Sequence, residues 1–386
     1  MTTTFIHTAD WQLGKPYQRI KDPENRARLQ NERFDVLKRI SQAVHTHKAQ
    51  FVLVAGDLFD SPSPVKRTVA KACEAIGQMK VPVLVIPGNH DYGGPGSLWE
   101  QPFFLSQREQ LAPNLHVLLS QQAFILESAV IFPAPLLRRH DHADPTLWIR
   151  TAFESPNFPT ELPGIVLAHG SVQGFESAQD DDDEESKGLN RIDLTRLPES
   201  GIDYIALGDW HGTKQITTHA WYSGTPEIDR FPKGADNDPG NILIVQASRG
   251  TAPQVEKLTT RGLRWNQFSQ HFSEDLAFDA FQAELETHIG EWGQESLLKL
   301  SLDGSLGIDT SQRLVELLEG LEARLLRVKL ENRVAIAPTD EEIEALSNRP
   351  NDPLIAAVAS ALIKMTKGDD PEIARIALRE LHSAIR

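Results

Sequence analysis

The sequence predicts a layered α/β protein: a β-sandwich flanked by helices, followed by a smaller α/β segment and a helical tail. Three observations carry this prediction. Short apolar runs alternate with segments of helical spacing between residues 5 and 86, the pattern of strands and helices stacked in layers. Later apolar runs at 129–132, 164–168, 204–207 and 241–245 are less regularly separated by helices, which implies a second sheet packed on the first. Beyond Pro338 the pattern is helical only.

Taken in order, residues 5–7 form a short strand. Residues 31–47 place Phe34, Val36, Leu37, Ile40 and Val44 at helical spacing. The run 51–55 is apolar throughout and reads as a buried strand, followed by a helix over 65–79 and a strand over 81–86. The first domain spans 1–253. A second, 254–337, starts with an extended stretch over 255–268. It continues with a helix over 274–292 that carries Phe278, Phe281, Leu285 and Ile289 on one face. A strand at 297–302, a helix at 311–323 and a strand at 325–330 complete it. The last region, 338–386, begins a helix at Thr339, whose hydroxyl suits the N-cap. Two amphipathic helices follow. One, over 353–367, repeats apolar residues at Leu354, Val358, Ala361, Leu362 and Met365. The other, over 371–385, turns Ile373, Ile376, Ala377, Leu381 and Ile385 inward.

Composition narrows the function classes. The 386 residues are 40% hydrophobic and 24% charged, as in ordinary globular proteins. No apolar run reaches the roughly 20 residues that span a bilayer, and the N-terminus has no basic-then-apolar leader. A cytoplasmic protein is expected. Cys73 is the only cysteine, which excludes an intrachain disulfide and a thiolate zinc cluster. The formal net charge of −15 argues against a broadly basic nucleic-acid surface, but a metal centre can hold a phosphodiester on an acidic protein. Much of that charge lies in the acidic run 180–185, read as a solvated loop. The Arg138-Arg139-His140-Asp141-His142 cluster reads as a surface loop, and His7 as a residue buried under the site. Lys257, Arg261, Arg264 and Lys299 could give the second domain a basic face.

Five clusters carry chemistry, each following a strand: Asp10-Trp11-Gln12, Gly56-Asp57-Leu58-Phe59-Asp60, Gly88-Asn89-His90-Asp91, His169-Gly170 and Gly208-Asp209-Trp210-His211. Strand ends converge at one edge of a sheet, so all five could meet. Carboxylates, imidazoles and a carboxamide suit two divalent cations. A pair of cations can clamp the attacking and leaving oxygens of an in-line phosphoryl displacement.

Jointly, these motifs resemble the calcineurin-like phosphoesterase superfamily. Asp10-Trp11-Gln12-Leu13-Gly14-Lys15, Gly56-Asp57-Leu58-Phe59-Asp60 and Tyr222-Ser223-Gly224-Thr225-Pro226-Glu227 are similar to segments of SbcD-type DNA repair nucleases. The resemblance implies a four-layer sandwich, a small DNA-contacting cap domain and two divalent cations, Mn²⁺ before Mg²⁺. It places Asp10, Gln12, Asp57 and His211 around one metal. Asp57 bridges to a second, completed by Asn89, His169 and Asp209. His90 assists at the phosphate, with Asp91 orienting its ring. Two positions depart from the family pattern: Gln12 and Asp209 stand where the family has histidine. Exchanging nitrogen for oxygen tilts preference toward Mn²⁺ or Mg²⁺ and away from Zn²⁺.

The function implied is a metal-dependent DNA phosphodiesterase, exo- or endonuclease. The implied partners are DNA, an SbcC-type ATPase docked on the C-terminal helices, and a second copy of the chain. The alternatives are a weakly active DNA-binding subunit, favoured by the two departures, and a phosphodiesterase of small substrates.

Overall fold

The computed structural model describes residues 2–153, 161–172, 189–198, 200–234, 237–292, 295–349, 352–368 and 371–384. The acidic run 180–185 and Ile385 lie outside them. The chain divides into two compact units, Met1–Gly262 and Leu263–Arg386.

The first unit has four layers. One six-stranded sheet runs, edge to edge, Gln254–Thr259, Asn241–Ser248, Thr2–Thr8, Phe51–Ala55, Val83–Ile86 and Leu115–Val117. The last four strands are mutually parallel; Asn241–Ser248 joins them antiparallel, and Gln254–Thr259 pairs antiparallel with that strand in turn. A second six-stranded sheet runs Lys214–Gln215, Ala220–Tyr222, Tyr204–Gly208, Gly164–His169, Val130–Ala134 and Phe124–Ile125, its four central strands parallel.

Period-two alternation decides which side chain enters which layer. In Phe51–Ala55 the odd residues Phe51, Leu53 and Ala55 point into the core between the sheets. There they meet Ile165, Leu167, Tyr204 and Ala206 of the second sheet. The even residues Val52 and Val54 face outward onto Val36, Leu37, Ile40 and Val44 of the helix Pro23–His47. Burial on both faces is why this strand reads as a continuous apolar run. Outside the second sheet, Phe132, Val166 and Leu207 pack with Ile149 of the short helix Leu147–Phe153.

The first long helix begins well before residue 31. Asp22 caps it by accepting from the Asn25 amide, and Pro23 occupies the first turn, where no amide is needed. The early polar turns hid this start from a search for apolar spacing. The extended stretch at 255–268 is two strands: Gln254–Thr259 continues the first sheet, and Arg264–Phe272 opens the second unit. The units therefore meet at Gly262, beyond residue 253.

In the second unit, Arg264–Phe272, Ser296–Leu306 and Arg327–Asn332 form a parallel sheet, with Ala335–Ile336 pairing the end of the middle strand. The helices Leu276–Trp292 and Ile308–Arg324 cover one face, burying Phe278, Phe281, Leu285, Leu314, Leu317 and Leu321 against Leu298, Leu300 and Leu302. Thr339 caps the helix Asp340–Ser347 in a reciprocal capping box with Glu342. The helices Pro353–Met365 and Pro371–Ala384 bury Ala359 and Leu378 around Ile308 and Ile336. The inward face of the last helix is thus set by Ala374 and Leu378, while Ile373 and Ile376 are exposed, contrary to the sequence reading. The expected basic face also dissolves. Lys257 and Arg261 belong to the first unit and pair with Asp238, and Lys299 pairs with Glu331.

Candidate metal centre

The carboxyl ends of five parallel strands deliver the predicted residues to one place. Asp10, Asp57 and His169 form a buried group whose ligand atoms all lie within 4.8 Å of one another, an arrangement that could hold a metal ion. Asn89 joins through its Oδ1, 2.9 Å from His169 Nε2. Asp209 lies alongside, its Oδ1 3.8 Å from the same nitrogen, its Oδ2 accepting from Ser171 Oγ at 3.0 Å and its amide 3.3 Å from the Asp10 carboxylate. His169 Nδ1 donates to the Ala55 carbonyl at 2.7 Å, which aims Nε2 into the cluster.

Glycines make this closeness feasible. A Cβ on Gly56 would lie 2.1 Å from His169 Nδ1, and one on Gly88 would lie 2.1 Å from Asp57 Oδ1. The ligands themselves occupy strained backbone: Asp10 (φ 52°), Gln12 (42°), Asp57 (51°) and Asp209 (98°) all sit at positive φ, which costs non-glycine residues on the order of 1–3 kcal/mol each. Backbone bonds across the two loops hold them there, from Asp10 N to Gly56 O, Gln12 N to Asp57 O and Leu13 N to Leu58 O. Arg33, fully buried, completes the brace. Its guanidinium donates to the carbonyls of Trp11 (2.7 Å), Asp10 (2.9 Å) and Glu227 (3.0 Å) and to Thr225 Oγ1 (3.1 Å).

Carboxylates dominate the charge of the site. Burial and the neighbouring Asp57 and Asp209 carboxylates push the Asp10 carboxyl well above the usual range, against the pull of His169. Burial works against a charged His169, but Asp57, Asp10 and Asp209 outweigh it and raise its pKa to about 9. Asp57 is held down despite burial by His169 and His90. A cluster that makes an imidazole this basic suits a divalent cation, and its oxygen-rich donor set fits a hard one.

His90 stands at the mouth. Its Nδ1 is 2.9 Å from the Asp60 carbonyl and its Nε2 is 3.9 Å from Asp57 Oδ2. The expected orienting role of Asp91 is not what the geometry gives. The Asp91 carboxylate accepts from the amides of Phe59 (3.0 Å) and Gly88 (2.8 Å), so it shapes the loop, and the Asp60 carbonyl orients the ring. Gln12 and His211 lie together, 3.3 Å apart through their Nε2 atoms. His7 is buried beneath, held by Tyr204 Oη (2.9 Å) and the Leu207 carbonyl (3.2 Å), and burial lowers its pKa to about 3. Trp11 packs inward, its indole donating to Thr8 Oγ1.

Sequence reasoning missed Arg33 and Asp229. Asp229 is buried and held strongly acidic despite burial by Arg230, His211 and Lys15. Its one signal was position, two residues beyond the Tyr222–Glu227 segment. Arg33 gave none, since an arginine inside a helical pattern looks solvated.

The chain is similar to known proteins. The SbcD component of the nuclease SbcCD from Bacillus subtilis (strain 168) is 30% identical over 273 residues, 64% of this chain and 66% of that protein, so the chain spans just under two thirds of that relative's length. Two solved structures cover 67% of the chain. One crystal structure does so at 14% identity, over 100% of its own chain, with a TM-score of 0.39. GAP50, the anchor in the inner membrane complex of Plasmodium, does so at 12% identity, over 85% of its chain, with a TM-score of 0.37. Nothing about function follows from likeness at that level. The calcineurin-like phosphoesterase model matches residues 3–213, more than half of the chain and all five loops, and the chain belongs to that family.

Proposed function

We propose that this chain is a divalent-metal-dependent phosphodiesterase that cleaves DNA, a nuclease of the SbcD type. The observation that carries the reading is the buried Asp10–Asp57–His169 group with His90 poised beside it. Asp10, Asp57, Asn89, His169 and Asp209 would hold cation, Mn²⁺ before Mg²⁺, with Gln12 and His211 at the adjoining subsite. When bound, the metal supplies Lewis acidity and lowers the pKa of water near it.

The chain's own residues then do the following. A water oxygen forms the new bond to phosphorus and releases its proton to solvent, and the bond to the leaving nucleoside oxygen breaks in line. His90 Nε2 gives its proton to that oxygen. The neighbouring Asp57, acting against partial burial, raises the His90 pKa and so favours the protonated ring.

The 30% identity with the SbcCD component supports DNA as substrate and an SbcC-type ATPase as partner. Exposed Leu354, Val358, Met365, Ile373 and Ile376 on the last two helices would receive that partner. The second unit, from residue 263, would contact DNA, and a homodimer is part of the reading. Among the described residues no helix is long and apolar enough to cross a membrane.

The test offers purified protein single-stranded DNA, duplex DNA and bis-nitrophenyl phosphate with Mn²⁺. DNA cleavage abolished by His90→Ala is the expected result. Ester hydrolysis without DNA cleavage would move the reading to small substrates. DNA binding without turnover would leave a binding subunit, the second reading that Gln12 and Asp209 favour.

A further inference from the structure

Four side chains beside the cluster close on themselves. Lys15 Nζ donates to Gln12 Oε1 at 2.7 Å. Gln12 Nε2 lies 3.3 Å from His211 Nε2. His211 Nδ1 lies 3.0 Å from Asp229 Oδ1, and Asp229 Oδ2 returns to Lys15 Nζ at 3.1 Å. Each link fixes the next. An ammonium only donates, so Gln12 must turn its carbonyl oxygen to Lys15 and its amide hydrogens to the imidazole. A carboxylate only accepts, so His211 carries its proton on Nδ1 and offers the Nε2 lone pair to Gln12. Arg230 comes within 3.3 Å of His211 Nδ1, but its guanidinium also bonds Asp229 Oδ2 at 3.2 Å, and the nearer carboxylate sets the tautomer. Lys15 is also 3.4 Å from Asp60 Oδ1.

The two donor atoms that Gln12 and His211 would give a cation, an amide oxygen and an imidazole lone pair, are therefore both satisfied within the protein. The ring carries one positive and one negative charge and has no electrostatic need of a metal. The metal-capable group, by contrast, comprises Asp10, Asp57 and His169 and does not include His211.

We propose that Gln12 latches the adjoining subsite shut, so that the resting chain takes one divalent cation, at Asp10, Asp57 and His169 with Asn89 and Asp209, rather than two. This rests on the metal-centre reading above and departs from the two-cation expectation. Histidine at position 12 would replace the carboxamide oxygen with an imidazole nitrogen, a stronger ligand for a transition-metal ion. Gln12 therefore determines the metal stoichiometry, and Lys15 and Asp229 are positioning residues that hold it.

The test strips the full chain of metal with chelator and titrates Mn²⁺. Bound manganese per chain is counted by elemental analysis, and the electron paramagnetic resonance spectrum is recorded. The wild type is expected to bind one Mn²⁺ with the spectrum of an isolated ion. Gln12→His is expected to bind two, with an exchange-coupled spectrum. Lys15→Met, which frees the Gln12 oxygen, is expected to take up a second Mn²⁺ that the wild type does not bind. Circular dichroism checks that the variants fold. Two coupled ions in the wild type would overturn the proposal, as would a folded Gln12→His that stays at one. A wild type that binds no Mn²⁺ would overturn the metal-centre reading beneath it.

Discussion

Gly56→Ala should uncouple the metal cluster from the sandwich that supports it. Two costs are separable. At φ +89° an alanine pays for left-handed backbone, about 1–2 kcal/mol. Its Cβ would also lie 2.1 Å from His169 Nδ1 and 2.5 Å from Cγ, so the ring must move. Moving it breaks the 2.7 Å bond from Nδ1 to the Ala55 carbonyl, and a hydrogen bond to a charged group contributes about 1.5–3 kcal/mol. The sum is about 2.5–5 kcal/mol. Gly96→Ala supplies the control: its φ is +76° and nothing lies within 4 Å of the added Cβ, so it carries the backbone cost alone. Urea unfolding of both variants gives the difference, and calorimetry with Mn²⁺ gives the functional consequence. Gly56→Ala should lose at least about 1.5 kcal/mol more than Gly96→Ala and bind Mn²⁺ far more weakly. Equal losses, with unaltered Mn²⁺ affinity, would refute the claim that the His169 ring is seated on Gly56.

Three further outcomes are expected. Arg33→Met strands three loop carbonyls and the charge of buried neighbours, and should cost about 3–5 kcal/mol in urea melts; a loss under about 1 kcal/mol would show the brace to be dispensable. His7 has a folded pKa of about 3 against 6.5 unfolded, so between those values the unfolded chain binds the extra proton. Its contribution is intact above pH 6.5 and falls by about 1.4 kcal/mol per pH unit below it. His7→Gln should therefore show a shallower decline in stability from pH 7 to 5 than the wild type, and parallel curves would contradict this. Cys73 is buried and its pKa is raised to about 11, so native protein should leave a thiol reagent unreacted at pH 8, whereas urea-unfolded protein should consume one equivalent. Rapid labelling of native protein would place that helix differently.

Much of this molecule was legible because its strands are buried on both faces and its ligands follow them directly. Phe51 to Ala55 reads as a strand without help, and Asp57 must then sit at its carboxyl end. The site residues came from motif order, and the structure brings Asp10, Gln12, Asp57, Asn89, His90, His169, Asp209 and His211 together. What failed to show was long-range pairing. Asp229 meets His211 and Lys15 only because the chain returns to the first loop after the second sheet. Asp91 looked like a partner for the adjacent His90, but backbone amides exposed by the tight turn at Gly88 compete for its carboxylate and win. In the last helix, several apolar stripes fit the same sequence, and periodicity could not choose the one that faces Ile308 and Ile336.

The most direct trial is a crystal grown with Mn²⁺ and measured at the manganese absorption edge. An anomalous peak within coordination distance of the Asp10 and Asp57 carboxylates and His169 Nε2 is the expected result. An empty cluster at saturating Mn²⁺, with His169 still bonded to Asn89, would contradict the account.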